Sequence, residues 1–225
     1  MRQRGFSLVE LLSSTAIIAV LMAVMFPLFV KVRNRMYAYS AASNVRQLGL
    51  SATIYRTDYD GYFPNPQWAA KGDPQDINAD GTVEWYEKLL PYADNNRSIL
   101  RVHADNTDPH LRPCSFADNS WFDYPCPESM IVDQADTIYL TERKQEFQHD
   151  FIEWWHWQEG TWPPDPDHIP YEKASQQAAI FRYEGLNNYL YIDGHSKMRR
   201  FEDTWYPRVT WWPEAPTEAP SGPRY

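Results

Sequence analysis

The chain has 225 residues, a formal net charge of −9, a mean hydropathy of −0.63 and an aromatic content of 16%. The hydrophilic average excludes a polytopic membrane protein, and so many aromatics exclude a disordered chain, which lacks the bulk to form a core. The acidic balance is the wrong sign for wrapping nucleic acid, so no such partner is expected.

The average hides a segregation. Residues 11–30 carry no charged side chain, whereas nearly all acidic residues follow Tyr55. About 20 apolar residues at about 1.5 Å rise cross a bilayer core of about 30 Å, which leaves a polar domain outside it. Before the apolar run stands a short basic leader, Met1-Arg2-Gln3-Arg4-Gly5, followed by Phe6-Ser7-Leu8-Val9-Glu10. A secretory signal would end a shorter run at a cleavage site of small residues, a different pattern. Glu10 is the one carboxylate at the start of the span. Such a group costs about 2.5–3.5 kcal/mol on insertion and usually marks a function and a partner, with snorkelling to the headgroups as the plain alternative. Pro27 removes one helical hydrogen bond. Basic residues flank both ends, Arg2 and Arg4 before and Lys31, Arg33 and Arg35 after, so their count does not fix the orientation.

Gly5-Phe6-Ser7-Leu8-Val9-Glu10 resembles the processing site of type IV pilins and type II secretion pseudopilins. The resemblance implies that prepilin peptidase cuts between Gly5 and Phe6, that Phe6 is N-methylated, and that Glu10 guides assembly with other pilin-like subunits. It places the leader on the cytoplasmic side of a bacterial inner membrane, a single span through it, and the head outside the cytoplasm, with an extracellular filament as the end state. Cleavage removes Arg2 and Arg4 and makes the chain still more acidic.

Val45, Leu48, Ala52 and Tyr55 recur at three- and four-residue spacing, so one helix is expected from Phe6 to about Asp58, with this stripe facing a core. The stretch Asn44-Val45-Arg46-Gln47-Leu48-Gly49-Leu50 and the following Tyr55 to Pro64 are similar to pilin-like chains with a prepilin-type processing-associated domain and a late H-x9-DG element. Here Asp193-Gly194 is present, but Tyr183 stands where that family has histidine. Alternation predicts strands at 179–182 and on both sides of Asp193-Gly194, a hairpin turn signal, with a third strand at 137–140. The fold class expected is α+β, a small antiparallel sheet of three or four strands packed on the long helix. The domain reading is a leader at 1–5, a transmembrane helix at 6–30, its continuation at 31–58, a head at 59–204 with an aromatic insertion at 143–170, and a Pro/Trp-rich tail at 205–225, extended and partly disordered.

Asp76-Ile77-Asn78-Ala79-Asp80-Gly81-Thr82-Val83-Glu84-Trp85-Tyr86-Glu87 matches the twelve-residue calcium loop. Asp76, Asn78 and Asp80 would offer side-chain oxygens, Thr82 its carbonyl, Glu84 a contact through water and Glu87 two closing oxygens, with a helix leaving at 83–90. Calcium is therefore the expected cofactor, and an Asx-rich helix cap without an ion is the alternative. Cys114 and Cys126 are the only cysteines. Outside the cytoplasm a disulfide is expected, and two buried thiols are the alternative. In the insertion, His149, Glu153 and His156 would share a face if helical, while Trp154, Trp155, Trp157 and Trp162 suit a binding platform or a small core. No nucleophile, base and oxyanion set is visible, so no enzyme is expected. The two readings carried forward are a filament subunit and a solitary single-pass, membrane-anchored binding module for a glycan or protein.

Overall fold

A computed structural model of the chain describes residues 7–153, 169–205 and Trp211. The chain divides into two units, residues 1–37 and residues 38–225, and helix α1, Leu8–Asp58, contributes to both. In the first unit the apolar side chains from Leu8 to Val32 are exposed, and the most apolar window has a mean hydropathy of 2.3 with none of it buried. The helix is thus long and apolar enough to cross a membrane. Its few hydroxyls bond within the helix: Ser13 Oγ donates to the Glu10 carbonyl at 3.1 Å, and Ser14 and Thr15 to that of Leu11 at 2.9 and 3.0 Å. Polar groups satisfied in this way can sit in hydrocarbon. Pro27 lies inside α1 without ending it.

In the second unit the expected stripe is the buried one: Ala38, Ala41, Ala42, Val45, Leu48, Ala52 and Tyr55 are all buried. Further along the chain lie a two-stranded ribbon of β1, Gln67–Trp68, and β2, Thr82–Val83, then a short helix α2, Trp85–Leu89. A five-stranded sheet has the order β5-β3-β4-β6-β7. It comprises β3, Phe116–Asn119; β4, Ile138–Glu142; β5, Phe151–Ile152; β6, Leu186–Tyr191; and β7, Ser196–Arg200, with α3, Tyr171–Gln177, between β5 and β6. All its pairings are antiparallel except β3 with β5, which is parallel. The fold class is α+β, as expected.

The expected strand at 137–140 is β4, and the Asp193-Gly194 hairpin is β6–β7. The strand expected at 179–182 is absent: Ala178 makes only an isolated bridge to Arg143, and the chain then turns. Two further strands, β3 and β5, complete the sheet. On one side of it Ala117, Ile138, Ile152, Tyr189 and Tyr191 form a core with Phe201, Trp205 and Trp211. Trp205 and Trp211, both in the expected tail, are each 0% exposed, so at these two positions it is packed into the core. Trp211 Nε1 donates to Thr204 Oγ1 at 3.1 Å, and its carbonyl accepts the Asn119 amide at 2.9 Å. Burying such an indole contributes roughly 1.5–3 kcal/mol or more, enough to hold this part of the tail to the sheet.

Candidate functional site

The processing pair Gly5 and Phe6 lies outside the described residues. Glu10 stands in the first turn of α1, where its Oε2 accepts the Ser7 N–H at 2.9 Å. That N–H is among the first donors of a helix, which have no partner inside it, and the carboxylate lies at the positive end of the helix dipole. Glu10 therefore has a local partner, and as an acceptor it can exchange that N–H for a stronger cationic donor such as a free amine.

The loop at residues 76–87 has the backbone of its motif. Ala79 and Gly81 take φ of 58° and 93°, Thr82–Val83 is extended as β2, and α2 follows Glu84. Gly81 is needed there, since positive φ is strained for a residue with a Cβ. The donor oxygens are all hard, yet those of Asp76, Asp80 and Glu87 are engaged within the loop. Asp76 accepts the Asp80 and Gly81 N–H groups at 3.2 and 3.0 Å, and Asp80 accepts those of Thr82 at 2.9 Å and of the Asn78 amide at 2.7 Å. Glu87 accepts the N–H groups of Ile77 at 2.8 Å and Glu84 at 2.9 Å. Burial and the nearby Asp76 and Asp80 push its pKa up to about 7 in spite of these bonds. Among the described residues no group of three or more His, Cys, Asp or Glu is already arranged to hold a metal ion.

Behind this loop is an acidic group that no sequence motif announced. Glu84 is pushed up to about 9 by burial and then by the neighbouring Asp150 carboxyl. Asp118 on β3 is 0% exposed, and burial and then Asp123, Asp150 and Glu84 hold its pKa far above the usual carboxylate range. Asp123 is pushed up to about 8 by burial, then by Asp150 and Glu153, and Asp150 is raised by burial although Glu84, Arg143 and His149 act against it. The only signal in the sequence was an aspartate in the middle of Phe116-Ala117-Asp118-Asn119.

The Asp193-Gly194 turn is local chemistry. Gly194 has a φ of 89°, and Asp193 Oδ1 accepts the His195 N–H at 3.0 Å and lies 2.5 Å from His195 Nδ1, whose ring stacks on Tyr191 at 4.3 Å. Tyr183, at the histidine position of the resembled family, is structural: its hydroxyl donates to Glu142 Oε2 at 3.0 Å. The fully buried Glu142 also accepts from Arg182 at 2.8 Å and Asn188 at 2.7 Å.

The disulfide expected between Cys114 and Cys126 is not formed; both are buried free thiols. Cys114 Sγ accepts the Phe116 N–H at 3.4 Å at the start of β3, whereas Cys126 Sγ contacts the Pro127 carbonyl at 3.8 Å. Each thiol thus has its own local contact, and the spacing of twelve residues in a loop-rich stretch misled. His149 and Glu153 do not share a helical face, because β5, Phe151–Ile152, lies between them, and His156 is outside the described residues. Trp154, Trp155, Trp157 and Trp162 are also outside them.

Residues 1–26 match the family model described as the prokaryotic N-terminal methylation motif. No curated protein and no solved structure matches the chain. The motif supports a prepilin-like chain with a processed amino terminus, and with α1 it supports a membrane anchor.

Proposed function

We propose that this chain is a non-enzymatic subunit that leaves the membrane to assemble, with other pilin-like subunits, into a type IV pilus-like or type II secretion-like filament. The observation that carries the reading is the N-terminal methylation motif over residues 1–26, with Glu10 in the first turn of an apolar helix. After cleavage at Gly5, the amine of Phe6 on one subunit and Glu10 of another are opposite charges at similar depth. In a low dielectric an unpaired Glu10 is costly, so pairing selects the stagger at which the next subunit enters. Glu10→Ala should leave insertion and cleavage intact and abolish filaments seen by electron microscopy of sheared cells. Normal filaments from that variant would defeat the reading. If function then fell only on Trp154→Ala or Trp155→Ala, the solitary binding module would stand.

Calcium at loop 76–87 belongs to the same proposal. Its support is the loop backbone and the oxygen-only donors Asp76, Asn78, Asp80, Thr82, Glu84 and Glu87, and a bound ion would lock the loop against α2. Calorimetric titration of the full chain in detergent with CaCl2 should give a binding heat that Asp80→Ala removes. A heat unaltered by Asp80→Ala would place calcium elsewhere.

A further inference from the structure

The sheet edge at β7 carries the charge that the chain as a whole lacks. β7 pairs with β6 alone, so among the described residues its outer side is an open edge. Arg46 on α1 lies against the start of that strand, its Nε donating to Ser196 Oγ at 3.2 Å. Lys197 and Arg199 lie on the opposite face of the strand, both over the Tyr191 ring, at 5.5 and 5.6 Å from its centre. Among the described residues no carboxylate pairs with Arg46, Lys197 or Arg199, whereas the neighbouring Arg200 has Glu202 at 3.6 Å. Charged side chains on an edge ordinarily keep other strands away. Here the unpaired charges are of one sign in a chain of net charge −9, so the chain itself supplies a surface of the opposite sign.

That surface lies at the C-terminal end of the same helix. Asp58 ends α1, Asp60 stands in the turn that follows, and Asp94 is close by, since Tyr92 Oη donates to Asp58 Oδ2 at 3.1 Å. All three acids are exposed, and none has a cationic partner among the described residues. Tyr59, between Asp58 and Asp60, is 50% exposed and stacks on Tyr55 at 4.1 Å, which leaves its other ring face for a cation. From Arg46 to Asp58 the helix rises about 18 Å, so the basic and acidic patches do not meet within one chain.

We propose that the basic β7 edge of one head docks on the acidic end of α1 in a second copy of this chain. Two unlike patches on one surface make a heterologous contact, which repeats from copy to copy and builds an open assembly unless its rotation closes a ring. Successive heads are then displaced along α1 by about 18 Å. Exposed charge pairs contribute little affinity each, but they steer encounter, fix register and exclude wrong neighbours. The proposal rests on the reading of the chain as an assembling subunit and supplies the surfaces through which its heads meet.

The test uses the full-length chain in cells of its native host carrying Thr57→Cys and Ser196→Cys, near-isosteric changes that keep every charge and set one thiol beside each patch. Cys114 and Cys126 are buried and take no part. A short bismaleimide should join copies into a ladder of dimers and higher species on a denaturing gel. Either substitution alone should give none, because the two positions meet only across unlike patches. In the doubly substituted chain Lys197→Glu should cut the ladder about tenfold, Asp58→Lys should do the same, and the two reversals together should restore it. Both residues are exposed, and an unchanged Tm of the head checks that each variant folds. Filaments without a ladder overturn the proposal and leave the filament reading standing. A ladder indifferent to both reversals, or dimers from either cysteine alone, overturns it equally. A charge-dependent ladder on cells that form no filaments keeps this contact and removes the filament reading.

Discussion

Asp105 shows how a buried carboxylate is made useful when its partners are present. Its Oδ1 accepts the Thr107 N–H at 3.0 Å and hydroxyl at 2.5 Å, while its Oδ2 accepts the Ser115 hydroxyl at 2.6 Å and lies 3.5 Å from Arg101 Nη1. Burial alone would raise its pKa, but the Ser115 and Thr107 bonds and the Arg101 charge outweigh it and hold the group below the usual value of 3.8. The unfolded chain therefore takes up this proton first as the pH falls. Stability from Asp105 is complete above about pH 4 and is lost on acidification through its lower folded pKa. Asp105→Asn should cost about 1–3 kcal/mol at pH 7 and shrink the difference between pH 7 and pH 3, both read from urea unfolding. Equal losses at the two pH values would mean that the hydrogen-bond geometry matters and the charge does not. The contrast with Asp118, whose neighbours are acids, is set by which residues the fold brings near. Neither environment is visible in the local sequence.

Among the elements, α1 and the β6–β7 hairpin were legible because their signals are local. Three- and four-residue spacing marks the buried stripe from Ala38 to Tyr55, and Asp193-Gly194 marks the turn. Strands β3 and β5 were hidden for the opposite reason. Phe116-Ala117-Asp118-Asn119 has two strand-averse residues in four, and Phe151–Ile152 is only two residues long, so their state is set by partners distant in sequence. The glycine in Gln47-Leu48-Gly49-Leu50 acquires a physical reason only in the packed unit. A Cβ at Gly49 would come 2.7 Å from Leu190 Cδ1 and 3.3 Å from the Gly194 carbonyl oxygen, so the helix lies directly on the β6–β7 turn. Gly49→Ala gains about 1 kcal/mol in helix propensity, yet overpacking costs about 1–3 kcal/mol, so a net loss of stability in thermal unfolding is expected. Leu190→Val in the same chain should recover part of it, because the nearest clash is with a Leu190 methyl. If Gly49→Ala instead stabilises the head, the close approach is not limiting.

For the whole molecule, the acidic head and the apolar span explain why a mean hydropathy of −0.63 conceals a membrane anchor, and the core placement of Trp205 and Trp211 explains part of the aromatic excess. What periodicity could not supply was the state of the cysteines, because a disulfide needs two thiols to meet and spacing says nothing about that. In the fold Cys114 and Cys126 are 1% and 4% exposed, and burial pushes their thiols up to about 12 and about 11. At neutral pH almost no thiolate forms, and the thiolate is the species that reacts with alkylating reagents and with disulfides. Both should therefore stay reduced even in an oxidising compartment, protected by folding. Intact mass spectrometry of protein extracted from membranes without reductant reads this together with processing. Under native conditions the chain should lack residues 1–5, carry one methyl group and take no alkylating reagent. After denaturation, still without reductant, it should take two. Retention of the leader would remove the basis of the filament reading, while a denatured chain that takes no reagent would show that the cysteines are bridged after all and that the segment from Cys114 to Cys126 is rearranged in the mature protein.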